Sequence, residues 1–545
     1  MAVQPPALRI PAEIQDIICH NLTFQRKDLL HLSRVCRHWH AVAEAVAWET
    51  VDELETLLRL MPRDAWEGAS VYTGVMTVTL KRQPTASDWE PVLTKAGYVK
   101  TLCLDFVSQD LQWSIVRDPP PRSLFPALRE LSIDDSFEHE MFDIESHFMA
   151  VLVPPTLSIL RITSTYQDVC SDAASILECC CRESITTVHV NNQDYNEQER
   201  DIGFEWYTLG DLMDALQLCP RLSHVSLKLR LDKDPRLFIR LSESPALVSM
   251  NIDLGGDDRL QGWLEGGAPK YPPSRFSALR HLHIDGGSFF DAMSIIALPA
   301  QKAPCRKMEA IYVHAGHEDE SGALQLLVED INKWCDASTL RKVQIERAEW
   351  GEEIQEWPLV YEHIEPLTKF RGLTHVRMGG GMDGTRVTDV NCEAMARAWP
   401  ELKELSVSVV AVHETGTACT LEALVPFARH CPRVQFLHLP LNAISIPEAV
   451  QPTASHPAAP RALDDYLKIC VSYGAIADPH AVARFLCKLF PHRDLEVAYT
   501  SAYMSSGLTM LEEKQRIDQW STVEALVDPR ANQLKELPLD LRPRW

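Results

Sequence analysis

The stretch Cys219-Pro220-Arg221-Leu222-Ser223-His224-Val225-Ser226-Leu227 places three apolar residues, Leu222, Val225 and Leu227, at a spacing that decides the fold of most of the chain. Val225 and Leu227 alternate with polar neighbours, as in a short strand with one face inward, and Pro220 ends the helix before it. The same phrase stands at Val99/Leu102/Leu104, Leu128/Leu131/Ile133, Leu157/Leu160/Ile162, Ile185/Val188/Val190, Leu247/Met250/Ile252 and Leu279/Leu282/Ile284. It continues at Met308/Ile311/Val313, Leu340/Val343/Ile345, Leu373/Val376/Met378, Leu402/Leu405/Val407 and Val434/Leu437/Leu439. These twelve copies recur every 25 to 37 residues, a period that predicts stacked repeats. In six of them a proline stands two residues before the first apolar position: Pro126, Pro155, Pro220, Pro245, Pro400 and Pro432. Weaker echoes occur at Val75/Val78/Leu80, Leu467/Ile469 and Leu495/Val497.

Between the strands the period becomes helical. Leu209, Leu212, Met213 and Leu216 share one face over 209–218, and Ala323 to Trp334, Cys392 to Trp399 and Leu421 to Ala428 read likewise. A strand and helix of this size cannot bury their apolar faces alone, so neighbours must stack. A doubly wound α/β domain also alternates strand and helix, but it would not hold one spacing for over 300 residues. The pattern resembles the leucine-rich repeat in its longer, cysteine-containing form, as in Cys219-Pro220-Arg221-Leu222 and Cys431-Pro432-Arg433-Val434. The asparagine usual after the third apolar position is mostly absent here. The resemblance therefore implies an α/β fold built as an irregular solenoid, a curved parallel sheet with outer helices.

Three insertions interrupt the array. Asn191 to Tyr207 is polar and ends on Phe204, Trp206 and Tyr207; Gly255 to Arg275 is rich in Gly, Pro and Asp; Ala443 to Arg461 is rich in Pro and Ala and reads as a flexible loop. From Leu463 onward, Asp478-Pro479, Val482, Phe485, Leu486, Phe490-Pro491 and then Trp520 resemble the closing repeat of fungal F-box and leucine-rich-repeat proteins. The resemblance implies a helix from Asp478-Pro479 to Phe490-Pro491, and a cap through Val527 that Trp520 precedes.

The first fifty residues are of another kind. Pro11 fits a first helical position and Glu13 a first turn, so a helix is expected from Pro11 to His20 with Ile14, Ile17 and Ile18 on one face. Asp28 suits an N-cap for a second helix, on which Leu29, Leu32, Cys36 and Trp39 recur as an amphipathic stripe; a third is expected from about Ala41 to Trp48. So short a segment cannot bury this many large apolar groups by itself, which leaves surface for a partner. Ile10-Pro11-Ala12-Glu13-Ile14, Asp28-Leu29 with Leu32, and Val35-Cys36-Arg37 with Trp39 closely resemble the F-box, with Ile10 where leucine is usual. That resemblance implies docking on a Skp-type adaptor through Leu8, Ile10, Pro11, Ile14, Ile17, Ile18, Leu29, Leu32, Val35, Cys36 and Trp39. The expected organisation is 1–50 F-box, 51–98 connecting and capping units, 99–442 repeats, 443–461 loop, 462–530 closing repeats with a C-terminal cap, and 531–545 tail.

The formal net charge of the 545 residues is -23, and residues 1–50 carry equal numbers of acidic and basic side chains, so the acidic excess lies after residue 50. Such a surface repels phosphate backbones and anionic lipid, which argues against nucleic acid or membrane as the main partner. The fifteen cysteines are odd in number, irregularly spaced and without Cys-x-x-Cys, so they predict small buried residues rather than a disulfide scaffold or a zinc module. No basic and apolar leader opens the sequence, and the expected location is intracellular, cytoplasmic or nuclear or both.

Motifs for chemistry are few. Gly379-Gly380-Gly381-Met382-Asp383-Gly384 contains Gly-x-Gly-x-x-Gly after a strand, but the next apolar helix starts only near Asn391, so a turn between strand and helix is the better reading. His281 and His283 lie on one strand face without a third ligand nearby, and Asp134, Asp135, Glu138 and Glu140 read as a solvated acidic loop. No catalytic residue, metal or cofactor is expected. The two resemblances imply the substrate-recognition subunit of a Skp-cullin-F-box ubiquitin ligase, whose partners are the Skp adaptor, through it a cullin, and a target protein. Candidates to face that target are the outward strand residues His224, His281, His283, Arg377 and Ser406, with Phe204, Trp206 and Tyr207 in the insertion. The alternatives are an F-box scaffold for non-degradative assembly and, last, a nucleotide-binding enzyme using the turn at 379–384.

Overall fold

The computed structural model describes residues 10–21, 26–70, 76–105, 107–135, 146–164, 169–180, 182–192, 206–229, 235–254, 276–297, 306–316, 321–347, 357–380, 384–408, 419–447, 466–472, 474–491, 493–500 and 509–527. The chain forms two compact units, Met1–Leu229 with Arg236–Val248, and Arg230–Pro235 with Ser249–Trp545.

The first unit opens with helices α1 (Ala12–Asn21), α2 (Arg26–Leu32) and α3 (Arg37–Ala47). Parallel strands follow: β1 (Thr50–Val51) and, after α4 (Leu54–Leu58), the separate hairpin β2 (Trp66–Ser70) with β3 (Met76–Leu80), and α5 (Ala86–Ala96), β4 (Thr101–Leu104). Then strand and helix alternate: α6 (Gln109–Arg117), β5 (Glu130–Asp135), α7 (Ser146–Leu152), β6 (Ile159–Ser164), α8 (Val169–Cys180), β7 (Thr187–Asn192), α9 (Trp206–Gln217), β8 (His224–Lys228) and α10 (Pro235–Ser242). Each strand pairs parallel with the next in chain order, from β1–β4 to β7–β8.

In the second unit β9 (Ser249–Leu254) and β10 (His281–Gly286) are followed by α11 (Phe289–Ala297), β11 (Ala310–Ala315), α12 (Ser321–Trp334), β12 (Lys342–Arg347), α13 (Tyr361–Ile364), β13 (His375–Gly380), α14 (Asp389–Ala398) and β14 (Glu404–Val407). It closes with β15 (Cys419–Thr420), α15 (Leu424–His430), β16 (Phe436–Leu439), β17 (Leu441–Asn442), β18 (Tyr466–Ser472), α16 (Pro479–Leu489), β19 (Asp494–Thr500) and α17 (Met510–Val527). Here too the main pairings are parallel and sequential, with β15 and β17 forming a side pair. The fold is α/β: N-terminal helices, then parallel strands with helices between them, the layout of a repeat solenoid.

All twelve phrases are strands, and their register shows why. In the first unit Leu102, Leu131, Leu160, Val188 and Val225 stand opposite one another on successive strands. In the second, Met250, Leu282, Ile311, Val343, Val376, Leu405 and Leu437 do the same, and every one of these side chains is buried. Each such burial stabilises by roughly 1.5 to 3 kcal/mol, and only stacked neighbours provide it. A second device keeps the strands in step. The carbonyl just before several of the strands accepts two N–H groups from the next rung: Arg129 O from Ser158 and Ile159, Thr186 O from Ser223 and His224, Arg341 O from Thr374 and His375, Lys403 O from Gln435 and Phe436. Ser158, Ser223 and Thr374 hydroxyls donate to the same carbonyls.

Several expectations are corrected. The sheet starts before the first phrase, because Glu49 O accepts from Lys100 and Thr101 and Thr50–Val51 pairs with Thr101–Leu102. The echo at Val78 and Leu80 belongs to an antiparallel hairpin, not to a repeat strand. Ala443, read as the start of a loop, bridges Ile476. Trp520 lies inside α17 rather than ahead of it, and its Nε1 donates to Gly474 O at 2.9 Å. The helix after Asp478-Pro479 is present, capped by the Asp478 carboxylate, which accepts from His480 N and Ala481 N.

Glu55, on α4, is buried beside Glu53 and Asp105, and burial pushes its pKa up to about 7. An acid raised in the folded state binds its proton there while the unfolded chain has lost it, so stability falls as pH rises from 4.5 to 7. The total is about 3 kcal/mol at 1.36 kcal/mol per unit. Glu55→Gln should flatten that window and raise stability at pH 8 in denaturant titrations; an unaltered pH profile would contradict the assignment.

Candidate docking surface and recognition face

The N-terminal helices close on a small core of Cys19, Leu29, Trp39, Ala43, Val46 and Ala47, with Ile10, Ile18, Leu32, Cys36 and Val42 partly buried against it. The helix ends differ from expectation. α2 begins at Arg26, so Asp28 sits in its first turn, where its charge still favours the dipole, rather than at an N-cap. The stripe from Leu29 to Trp39 does not run on one helix: Cys36 is extended, with φ -162°, and starts α3. A tight turn at Ser33–Val35 separates the two, and His40 Nδ1 closes on Ser33 O at 3.1 Å.

This break sorts the proposed adaptor residues into two groups. Leu29 and Trp39 are 1% and 5% exposed and hold the module together, so they are core side chains rather than a surface. Ile17 and Val35, 55% and 63% exposed, lie outside it together with Ile14 and Leu30. Leu30 was not among the residues read from the sequence, because it falls off the apolar period. Pro11 is exposed just ahead of α1, and Leu8 lies outside the described residues. Four exposed branched aliphatics on so small a domain are apolar area that gains by being covered.

The module is tied to the repeats that follow it. His20 reaches Asp16 O at 2.9 Å and Glu49 Oε2 at 3.1 Å, and these contacts raise its pKa, the backbone bond to Asp16 foremost. Lys100 also pairs with Glu49, at 3.0 Å, and Lys95 with Glu44, at 2.5 Å. The helices and the first rungs are thus fixed to each other within one unit.

In the second unit the outward positions of the strands form rows. Asn251, His283, Tyr312, Gln344, Arg377, Ser406 and His438 stand in register. His283 bonds Asp285 at 3.1 Å and its ring lies 5.5 Å from that of Tyr312; His281 faces Glu309 at 3.6 Å; Arg377 pairs with Glu404. These side chains are open or half-open to solvent. Ser406 is not: it is buried, and its hydroxyl lies 3.2 Å from His438 Nδ1, while His438 Nε2 meets Ser472 Oγ at 2.6 Å. In the first unit His224 is exposed on β8, held by Ser223 Oγ at 2.8 Å. Trp206 and Tyr207 begin α9; Phe204, Glu138 and Glu140 lie outside the described residues.

His438 is largely buried, and burial, aided by the Arg377 charge, lowers its pKa to about 4. Its neutral form is stabilising above 6.5, and that contribution is lost as pH falls from 6.5 to 4, about 3 kcal/mol in all. Chemical unfolding of His438→Gln should lose this acid-side slope; an undiminished slope would show that the ring titrates as it does in water.

The glycine run has a packing explanation. Gly379 and Gly380 take φ 140° and 83°, and a Cβ on them would lie 1.8 Å from Ser408 O and 2.2 Å from Arg347 O. Glycine is needed because neighbouring strands approach closely there. Among the described residues the next helix, α14, starts only at Asp389 behind the Thr388 cap, five residues past Gly384.

Residues 7–53 match the F-box-like family model, and the N-terminal segment is an F-box-like domain. Among solved structures, the yeast complex of Rad7 and Elc1 aligns at TM-score 0.33 and 11% identity, over 93% of this chain and 98% of that one. No curated protein matches the chain. Among the described residues no helix is long and apolar enough to cross a membrane.

Proposed function

We propose that this protein is the substrate receptor of a Skp-cullin-F-box ubiquitin ligase. The F-box-like domain docks on a Skp-type adaptor through Ile14, Ile17, Leu30 and Val35, and through the adaptor meets a cullin. The repeats hold a target protein on the outward strand residues, with His281, His283 and Arg377 as the contacts to test first. The observation that supports this most is the family match at 7–53 together with an apolar surface left open on that same domain. The chain itself breaks and forms no bond. It raises the effective concentration of a target lysine near the ubiquitin-loaded enzyme, which is how a tether accelerates a reaction. The ties from Glu49 and Glu44 to Lys100 and Lys95 suit this role, because they join the docking module to the first rungs of its own unit. The test is substrate trapping: affinity purification with mass spectrometry from cells carrying wild type or an Ile17→Asp/Val35→Asp variant. Proteins that accumulate on the variant without the adaptor are the targets; identical sets with undiminished adaptor would refute the reading.

A further inference from the structure

Arg306 stands two residues before Met308, the place that six other copies give to proline and one, at Arg371, to an exposed arginine. Its backbone is pinned, N–H to Trp334 O at 2.9 Å and carbonyl to Asp336 N at 2.8 Å, and it bridges Cys335. The guanidinium turns inward, 6.0 Å from the centre of the Phe276 ring. Nη2 is shut off from water, and among the described residues nothing accepts from it. Burial lowers its pKa to about 10, and among the described residues the group acting on its charge is Cys335 rather than a carboxylate. Phe276 is itself buried and carries a positive φ of 51°, a strained backbone for an aromatic residue. A cation taken from water needs hydrogen-bonded counter-charge, and a ring face supplies only part of it. We propose that the Arg306 guanidinium is an oxyanion receptor, taking a carboxylate or phosphate group as its counter-charge with the Phe276 ring as the apolar floor. Guanidinium geometry suits either through two parallel N–H bonds.

The test uses the full chain at constant ionic strength, with chloride replaced by inorganic phosphate in one arm and by acetate in the other. Ligand that binds only the folded state raises the melting temperature. Wild type should rise by about 2 °C or more in at least one arm; a response to phosphate alone marks a phosphate site, and a response to both marks a general oxyanion site. Arg306→Met, which keeps the volume and removes the charge, should melt no lower than wild type in chloride and respond to neither anion. Isothermal titration of wild type with each anion stands independently of whether the variant folds. No heat from either anion, or equal melting shifts in wild type and Arg306→Met, would overturn the proposal.

Discussion

Ile17→Asp with Val35→Asp should weaken binding to a Skp-type adaptor by more than 100-fold while the N-terminal domain stays folded. Both side chains stand more than half open on a domain whose core they do not enter. Burying large apolar groups at the centre of an interface commonly carries 2 kcal/mol or more, about 30-fold each. Charges there add desolvation to lost contact. Leu29→Asp makes the contrast. It should also abolish binding, but by putting a carboxylate among Cys19, Trp39 and Val46 and unfolding the three helices. Circular dichroism and adaptor pull-down on the same samples separate the two causes. Full binding by the Ile17/Val35 variant would move the docking surface elsewhere.

The second large effect lies in the repeats. Leu282→Asp or Leu405→Asp places a charge on a fully buried rung with apolar neighbours in register on both sides: Met250 and Ile311 around Leu282, Val376 and Leu437 around Leu405. The expected cost is about 4 kcal/mol or more, the sum of lost packing and an unpaired buried charge. Because each rung rests on the next, limited proteolysis should open the chain around the altered strand first. If both variants resist protease and melt as wild type does, those leucines do not face a continuous core.

The strands were legible because their cause is local in sequence. Apolar residues two apart, preceded by a helix stop, leave little choice of structure, and Leu102, Leu131 and Leu282 all stand where that pattern predicts. β1 was missed because two residues, Thr50 and Val51, are too short to show a period; what makes them a rung is the pair of bonds from Lys100 and Thr101 to Glu49 O, a contact set by the fold. The proposed docking face was legible only as a resemblance to a family pattern. Periodicity groups Leu29 with Trp39 and cannot say whether the stripe meets a core or a partner; the turn at Ser33–Val35 decides it, turning Val35 out and Trp39 in. Ser406 was misread for a similar reason. Its alternation points outward, but the His438 ring of the neighbouring strand covers it, and that neighbour is 32 residues away. Arg306 escaped notice because a lone arginine ahead of a strand looks solvated until its surroundings are known.

The central claim is that the F-box-like domain carries this chain onto a cullin-bound adaptor. It is tested most directly by mixing the purified protein with a Skp adaptor and cullin complex and measuring molar mass by light scattering during size exclusion. The account predicts a single species heavier than the adaptor complex by one copy of this 61.5 kDa chain, absent with the Ile17/Val35 variant. Separate elution of the wild-type protein, at concentrations where an F-box protein run as control assembles, would contradict it.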